Sequence, residues 1–297
     1  MEVNPLAHVY GGRDPFVHRV AVSTGDQLRE SLPHLALLFR GAIGVGHGAC
    51  KLVDHAGRHA EVIGQPGADL DPDSAYQWQD RSPMEVEDYP QFIADPMRFI
   101  FEEMMPKRSR ELGKPWPRNA AALAKGALSF GMYLATMGAA FARFQAQYGS
   151  PPLLAGISDP AMDFLSDHYR GFQGIMLDIK RRPDEVVAAC EAMYPLTLRM
   201  ATASFGGPPA PFPLVFLPLH VPTYLRPKDF ERFYWPTFSR LINDLAGMGY
   251  KCLLFLEGDW EPHFPFLAQL PKGHVVGMLE RKLVEAKKAI GDTICLV

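Results

Sequence analysis

The chain lacks most of the features that mark whole classes of protein. It has four cysteines in 297 residues, Cys50, Cys190, Cys252 and Cys295, with no Cys-x-x-Cys among them. That spacing excludes a dense disulfide framework and a thiolate zinc ribbon. It reads as small buried hydrophobes in a reducing compartment. Net charge is nearly absent, at −3. The basic runs Lys107-Arg108-Ser109-Arg110 and Lys180-Arg181-Arg182 are short enough to be solvated helix ends. Nothing there calls for nucleic acid or an anionic membrane as a partner. A secretory signal is missing too, because residues 1–20 carry His, Arg and Asp throughout, so a cytoplasmic location is expected. The one membrane-like stretch, Ala120 to Phe141, is rich in Ala, Gly and Met and is interrupted by Lys125. It predicts a buried helix and no membrane span. A phosphate loop is absent as well. The run Gly41 to Gly48 has Ala49 where a third glycine would complete GxGxxG, and no Lys-Ser/Thr follows it. His47, His55 and His59 lie close together, but Ala56-Gly57-Arg58 reads as a turn, so a polar loop is the expectation there.

What is present begins at Met84. Residues 1–83 are irregular and form one region; residues 84–297 carry a regular pattern and form the second. Residues 84–112 read as helical, with Asp95-Pro96 as cap and first helical position. A helix over 118–147 follows. Short apolar runs then alternate with amphipathic helices. Strands are predicted at 153–157, 214–219, 252–256, 274–279 and 293–297. Helices are predicted at 161–172, 183–203, 227–247, 262–269 and 281–290, with Pro183 and Pro227 as starts. Strand-then-helix repetition argues for an α/β fold with a parallel sheet. The single-domain length favours a TIM (β/α)8 barrel. A complete barrel ends on a helix covering its last strand, whereas this chain stops on Ile294-Cys295-Leu296-Val297. The expectation is therefore a barrel lacking its last βα unit or units.

Three strand ends carry chemistry. Asp159 follows the 153–157 run, His220 follows 214–219, and Glu257-Gly258-Asp259-Trp260 follows 252–256. In α/β folds the carboxyl ends of parallel strands open on one face, so these groups can converge. A histidine with carboxylates can hold zinc with an open position or act as a general acid/base pair. Glu257 and His220 are the first candidates for both roles, with Asp259 beside them. Trp260, His263 and Asp159 are expected to line a pocket for a flat or apolar ligand. Asp167-His168-Tyr169-Arg170 lies on a helix, so only one or two of its members, Asp167 among the candidates, can face the strand ends.

Several blocks in order carry a resemblance: Met84-Glu85-Val86-Glu87-Asp88-Tyr89 with Phe92-Ile93-Ala94-Asp95-Pro96; Asp163-Phe164-Leu165-Ser166-Asp167 with Arg170-Gly171-Phe172-Gln173-Gly174; Pro218-Leu219-His220; Phe233-Tyr234-Trp235-Pro236; and Phe255-Leu256-Glu257-Gly258-Asp259-Trp260. Pro271 to Gly277 and Ala286 to Gly291 complete the set. With these, residues 84–297 resemble the uroporphyrinogen decarboxylase superfamily, and more closely its corrinoid-linked methyltransferase branch. The resemblance implies a TIM barrel, a small-molecule substrate, zinc at the strand end that carries Glu257, and a corrinoid partner protein. It implies methyl transfer from a small methylated ether or amine to a corrinoid. The chain departs from the branch pattern where Phe255 and Glu257 stand in place of a His and a Cys. The alternative within the superfamily is decarboxylation of a porphyrinogen, for which the Arg-Gln-Ala-Gly-Arg stretch is missing. The third reading is an incomplete or non-catalytic binding protein of the same fold. Oligomeric state is left open.

Overall fold

The apolar runs of the second region become strands wherever β-branched, Leu and Phe residues are continuous, and proline starts the helices between them. The computed structural model of the chain describes residues 61–64, 71, 77–79, 82–108, 111–149, 154–203 and 214–297. The Gly41–Gly48 run, His47, His55, His59 and Cys50 lie outside the described residues. Strands β1 (Glu61–Gly64) and β2 (Gln77–Gln79) pair antiparallel. The other five form one parallel sheet: β3 (Leu154–Ile157), β4 (Leu214–Leu219), β5 (Lys251–Leu256), β6 (Val275–Leu279) and β7 (Cys295–Leu296). Their spatial order is their order in sequence, β3-β4-β5-β6-β7. Each crossover carries helix, as parallel neighbours require. The molecule is thus an α/β protein built on a parallel sheet.

Within β4 and β5 every second residue is fully buried: Val215, Leu217 and Leu219, and Cys252, Leu254 and Leu256. They share one core with Phe238, Leu241 and Leu245 of the helix Trp235–Gly247. The alternate residues are half-buried, with Phe216 and Phe255 stacked at 6.5 Å. The approach of the helix Pro183–Ala203 to β3 is especially close. A Cβ built on Gly156 would lie 1.9 Å from the Ala201 carbonyl oxygen. Only a residue without a side chain fits there. Gly156→Ala is expected to cost about 1–3 kcal/mol through overpacking, read as a lowered midpoint in thermal unfolding.

Three sequence expectations need correction. The helix expected over 84–112 is broken. Tyr89–Ala94 ends at Asp95, whose backbone is extended (φ −157°, ψ 91°) and whose carboxylate accepts from the Arg98 N–H at 3.0 Å. The cap and Pro96 at the first position are as expected, but they start a new helix and so end the old one. The Ala120–Phe141 stretch lies within the helix Arg118–Tyr148. None of its residues whose burial is described falls in the core. Among the described residues, no helix is long and apolar enough to cross a membrane. Cys190 and Cys252 are buried as expected, whereas Cys295 is exposed.

Candidate functional site

The parallel register brings the ends of β3, β4 and β5 to one edge. The Ser158 N–H donates to the Phe216 carbonyl at 3.1 Å, and the Glu257 N–H donates to the Leu219 carbonyl at 3.2 Å. These bonds carry the sheet ladder one residue past the strands. His220 therefore stands between the β3 exit, with Asp159, and the β5 exit, with Glu257.

After β3 the chain turns into the helix Ala161–Phe164 and a π-helical turn, Leu165–Tyr169. Asp163 and Asp167, four apart, both reach His220 from this segment. His220 Nε2–H donates to Asp167 Oδ1 at 2.7 Å and lies 3.8 Å from Asp163 Oδ1. The Asp167 hydrogen bond is the main reason the imidazole holds its proton up to about 9. Partial burial opposes this, and the charges of Asp163, Asp167 and Glu257 add to it. At neutral pH His220 is an imidazolium.

Asp163 is completely buried. It accepts a short hydrogen bond from the Tyr234 hydroxyl and another, at 3.1 Å, from the Val221 N–H. Burial pushes its carboxyl up to about 7, against the pull of His220, Tyr234 and Val221. Burial and the neighbouring Asp163 keep the Tyr234 phenol protonated far beyond its ordinary range. Tyr234, Asp163, His220 and Asp167 thus form one polar cluster that runs from the core to the half-exposed strand-end face.

The other expected site residues are placed as follows. Asp159 stands at the same edge, with its carboxylate 3.6 Å from His168 Nε2. Of the 167–170 helix residues, Asp167 meets His220, His168 meets Asp159, Tyr169 is in the core, and Arg170 binds the buried Asp178 at 2.7 Å. Glu257 is half-buried and acts on His220 through its charge. Asp259 turns away. Lys282 binds it at 2.8 Å and also binds Glu261, and the ammonium beside Asp259 holds its carboxyl below the usual range. Its predicted place beside Glu257 and His220 is not where the structure puts it.

Trp260 and His263, expected to line a pocket, are placed in the core. Trp260 packs edge-on to Phe230 and donates from Nε1 to the Glu257 carbonyl at 3.1 Å. His263 stacks on Phe230 at 4.3 Å and donates from Nε2 to the Pro222 carbonyl at 2.9 Å. Burial holds its pKa below the ordinary value, so it stays neutral. The two rings fasten the turns that leave β4 and β5. Gly258 shares in this. Its φ of +77° and a Thr223 Oγ1 only 2.7 Å from a built Cβ both require glycine. Asp163 and Tyr234 were missed as site residues. The signal for Asp163 was the four-residue spacing of Asp159, Asp163 and Asp167 directly after a strand.

Zinc would take the His220 imidazole only through a neutral lone pair, and one of its two ring nitrogens, Nε2, is committed to Asp167 at 2.7 Å. Among the described residues, no group of three or more His, Cys, Asp or Glu side chains is arranged to hold a metal ion. What the fold and site define is an α/β protein with an acid–base cluster at the carboxyl edge of a parallel sheet. No protein-family model matches this chain, and no curated protein matches it.

Proposed function

We propose that the chain is an enzyme of the uroporphyrinogen decarboxylase superfamily, of its methyltransferase-like branch, and that its five sequential strands belong to a (β/α)8 barrel. The unbroken strand order and the helical crossovers support the barrel, since a doubly wound sheet reverses order partway. The single observation that carries the functional reading is the imidazolium of His220 held on Asp167 at 2.7 Å at the strand-end face. It is a general acid with a fixed proton.

In this reading a small methylated substrate, an ether or an amine, binds at that face. A reduced corrinoid on a partner protein would supply, when bound, the nucleophile that accepts the methyl group. The chain's own work is on the other side of the breaking bond. For an ether, the C–O bond breaks, its electron pair stays on oxygen, and His220 gives that oxygen its proton. Asp167 orients the imidazolium, while Asp163, fixed by Tyr234 and the Val221 N–H, sets the charge behind it. Asp163, Asp167 and Glu257 act on His220 through their charges, and Asp159 stands at the same edge beside His168. A neutral or cationic substrate suits this face, and a multi-acid porphyrinogen is repelled by it. That charge balance favours methyl transfer over decarboxylation.

The test is methyl transfer from methoxylated and methylated-amine substrates to reduced corrinoid, followed by the corrinoid absorbance. His220→Gln is expected to lower the rate about 10²–10⁴-fold. Carbon dioxide release from uroporphyrinogen, with no methyl transfer, would replace this reading with the decarboxylase.

A further inference from the structure

Two aromatic rings stand exposed on the segments that follow β3 and β4. Phe172 is 37% exposed and Tyr224 is 64% exposed. Their centroids lie 4.8 Å apart and their planes cross at 68°. The core does not claim either ring. The turn that carries Tyr224 fills the core with Val221, Pro222 and Leu225. The helix that carries Phe172 does so with Ile175 and Ile179. Gly171, at φ 74°, turns the chain so that Phe172 opens that helix, Phe172–Arg181.

The two segments meet twice. At one point His220 donates to Asp167 at 2.7 Å. At the other Phe172 meets Tyr224. Phe172 is five residues beyond Asp167, and Tyr224 is four beyond His220. The turn Val221–Tyr224 is a 3-10 helix, so the backbone at Tyr224 stands roughly 8 Å from that at His220. Rings crossed at a steep angle form an open corner. One ring offers its face for stacking and the other offers its edge.

We infer that Phe172 and Tyr224 bind the leaving group of the substrate and that this group is a planar aromatic ring, which makes the substrate class an aryl methyl ether. The inference rests on the methyl-transfer reading above and narrows it. The ring lies in the corner, and its ether oxygen turns toward His220. Asp167 occupies Nε2, so the proton comes from Nδ1. The bond between methyl carbon and oxygen breaks, and the methyl group passes to the reduced corrinoid. The electron pair stays on oxygen, and the proton makes a neutral phenol. Acid strength agrees with this leaving group. An imidazolium that keeps its proton up to about 9 is a weak acid. A phenolate, whose conjugate acid lies near 10, needs no stronger one. An alkoxide is a far poorer leaving group. Charge agrees too. An aromatic ring is held by stacking without any charge of its own. The carboxylates of Asp167 and Glu257 admit a neutral ring and repel an anionic one.

The probes are methoxybenzene and methoxycyclohexane, the same ether with and without a planar ring. Their binding to the full chain alone is followed by NMR titration. Methoxybenzene is expected to bind about fivefold tighter than methoxycyclohexane. Tyr224→Ala is expected to weaken methoxybenzene binding about tenfold, with unchanged thermal unfolding, and Phe172→Ala to act in the same direction. Tyr224→Phe keeps the ring and should bind as the wild type does. Tyr224→Leu keeps apolar bulk and should lose the preference for the planar ether, which serves as the test if the alanine variant does not fold. Absence of methoxybenzene binding, equal binding of the two ethers, or a preference that survives Tyr224→Leu overturns the inference. Failure of the reaction is separable from failure of the corner. Methoxybenzene that binds as expected but gives no methyl group to reduced corrinoid removes the reaction and leaves the corner standing. Methyl transfer from methanol or methylamine by a chain that does not bind methoxybenzene removes the corner and leaves the reaction standing.

Discussion

Asp163→Ala is expected to destabilise the protein by about 3–5 kcal/mol, the typical cost of removing one partner from a buried charged network. The carboxylate is completely buried and satisfies two donors at once, the Tyr234 hydroxyl and the Val221 N–H. Its loss leaves both without partners inside the core and removes a counter-charge 3.8 Å from His220. Against a total stability of about 5–15 kcal/mol, the denaturation midpoint should fall by a large fraction of its value. Asp163→Asn keeps an acceptor oxygen of the same shape and is expected to recover at least half of the loss. The pH dependence separates the two effects. The Asp163 carboxyl titrates at about 7 in the fold and near 3.9 in the unfolded chain. A raised carboxyl pKa means that stability is fully present at low pH and lost as pH climbs from about 4 to about 7. Asparagine cannot ionise, so that part of the decline should vanish. A decline of unchanged size in the asparagine variant would show that Asp163 is not the group responsible.

Asp167→Asn is expected to move the His220 titration from about 9 toward the ordinary imidazole value near 6.5. The Asp167 hydrogen bond is the largest contribution to the raised value, while Asp163 and Glu257 keep part of the shift. The direct measurement is the pH dependence of the His220 ring proton by NMR. For a new value near 7, only about a tenth of the imidazole stays protonated at pH 8. If His220 is the acid in methyl transfer, the alkaline limb of kcat/KM moves down in parallel. Stability follows as well. The raised imidazole contributes fully below about 6.5 and loses that contribution as pH rises to about 9. In Asp167→Asn this loss should shrink. An unmoved ring titration would mean that Asp167 does not hold the proton.

The strands were largely legible in the sequence, because they depend on local pattern. Leu214 to Leu219 and Cys252 to Leu256 are continuous apolar runs, and the residues that follow them had to reach one face. Asp167 was expected only as a residue able to face the strand ends; its hydrogen bond to His220 is what the structure adds. The identities of several site residues were not legible. Trp260 and His263 beside two acids looked like ligand contacts. Their true partner, Phe230, lies on a distant helix that no local period reveals. Asp163 was hidden by its setting. Ala161-Met162-Asp163-Phe164 reads as a core segment, and it is one, with the carboxylate admitted because Tyr234 and Val221 satisfy it. Asp259 was misplaced because the lysine that claims it, Lys282, arrives from beyond the next strand.

The unbroken order of the sheet bears on how the protein is made. Every strand after β3 has its first hydrogen-bonded neighbour already upstream. As the chain leaves the ribosome, the sheet can therefore lengthen by one βα unit at a time, and no finished strand must wait for a later segment to insert beside it. Domains generally fold in the order they are synthesised, and exposed strand edges are the hazard during that time. Sequential pairing keeps the number of waiting edges constant at two while the polypeptide grows. His220 meets Asp163 and Asp167 as soon as β4 joins β3, so the acid–base cluster takes shape well before the last strand is translated.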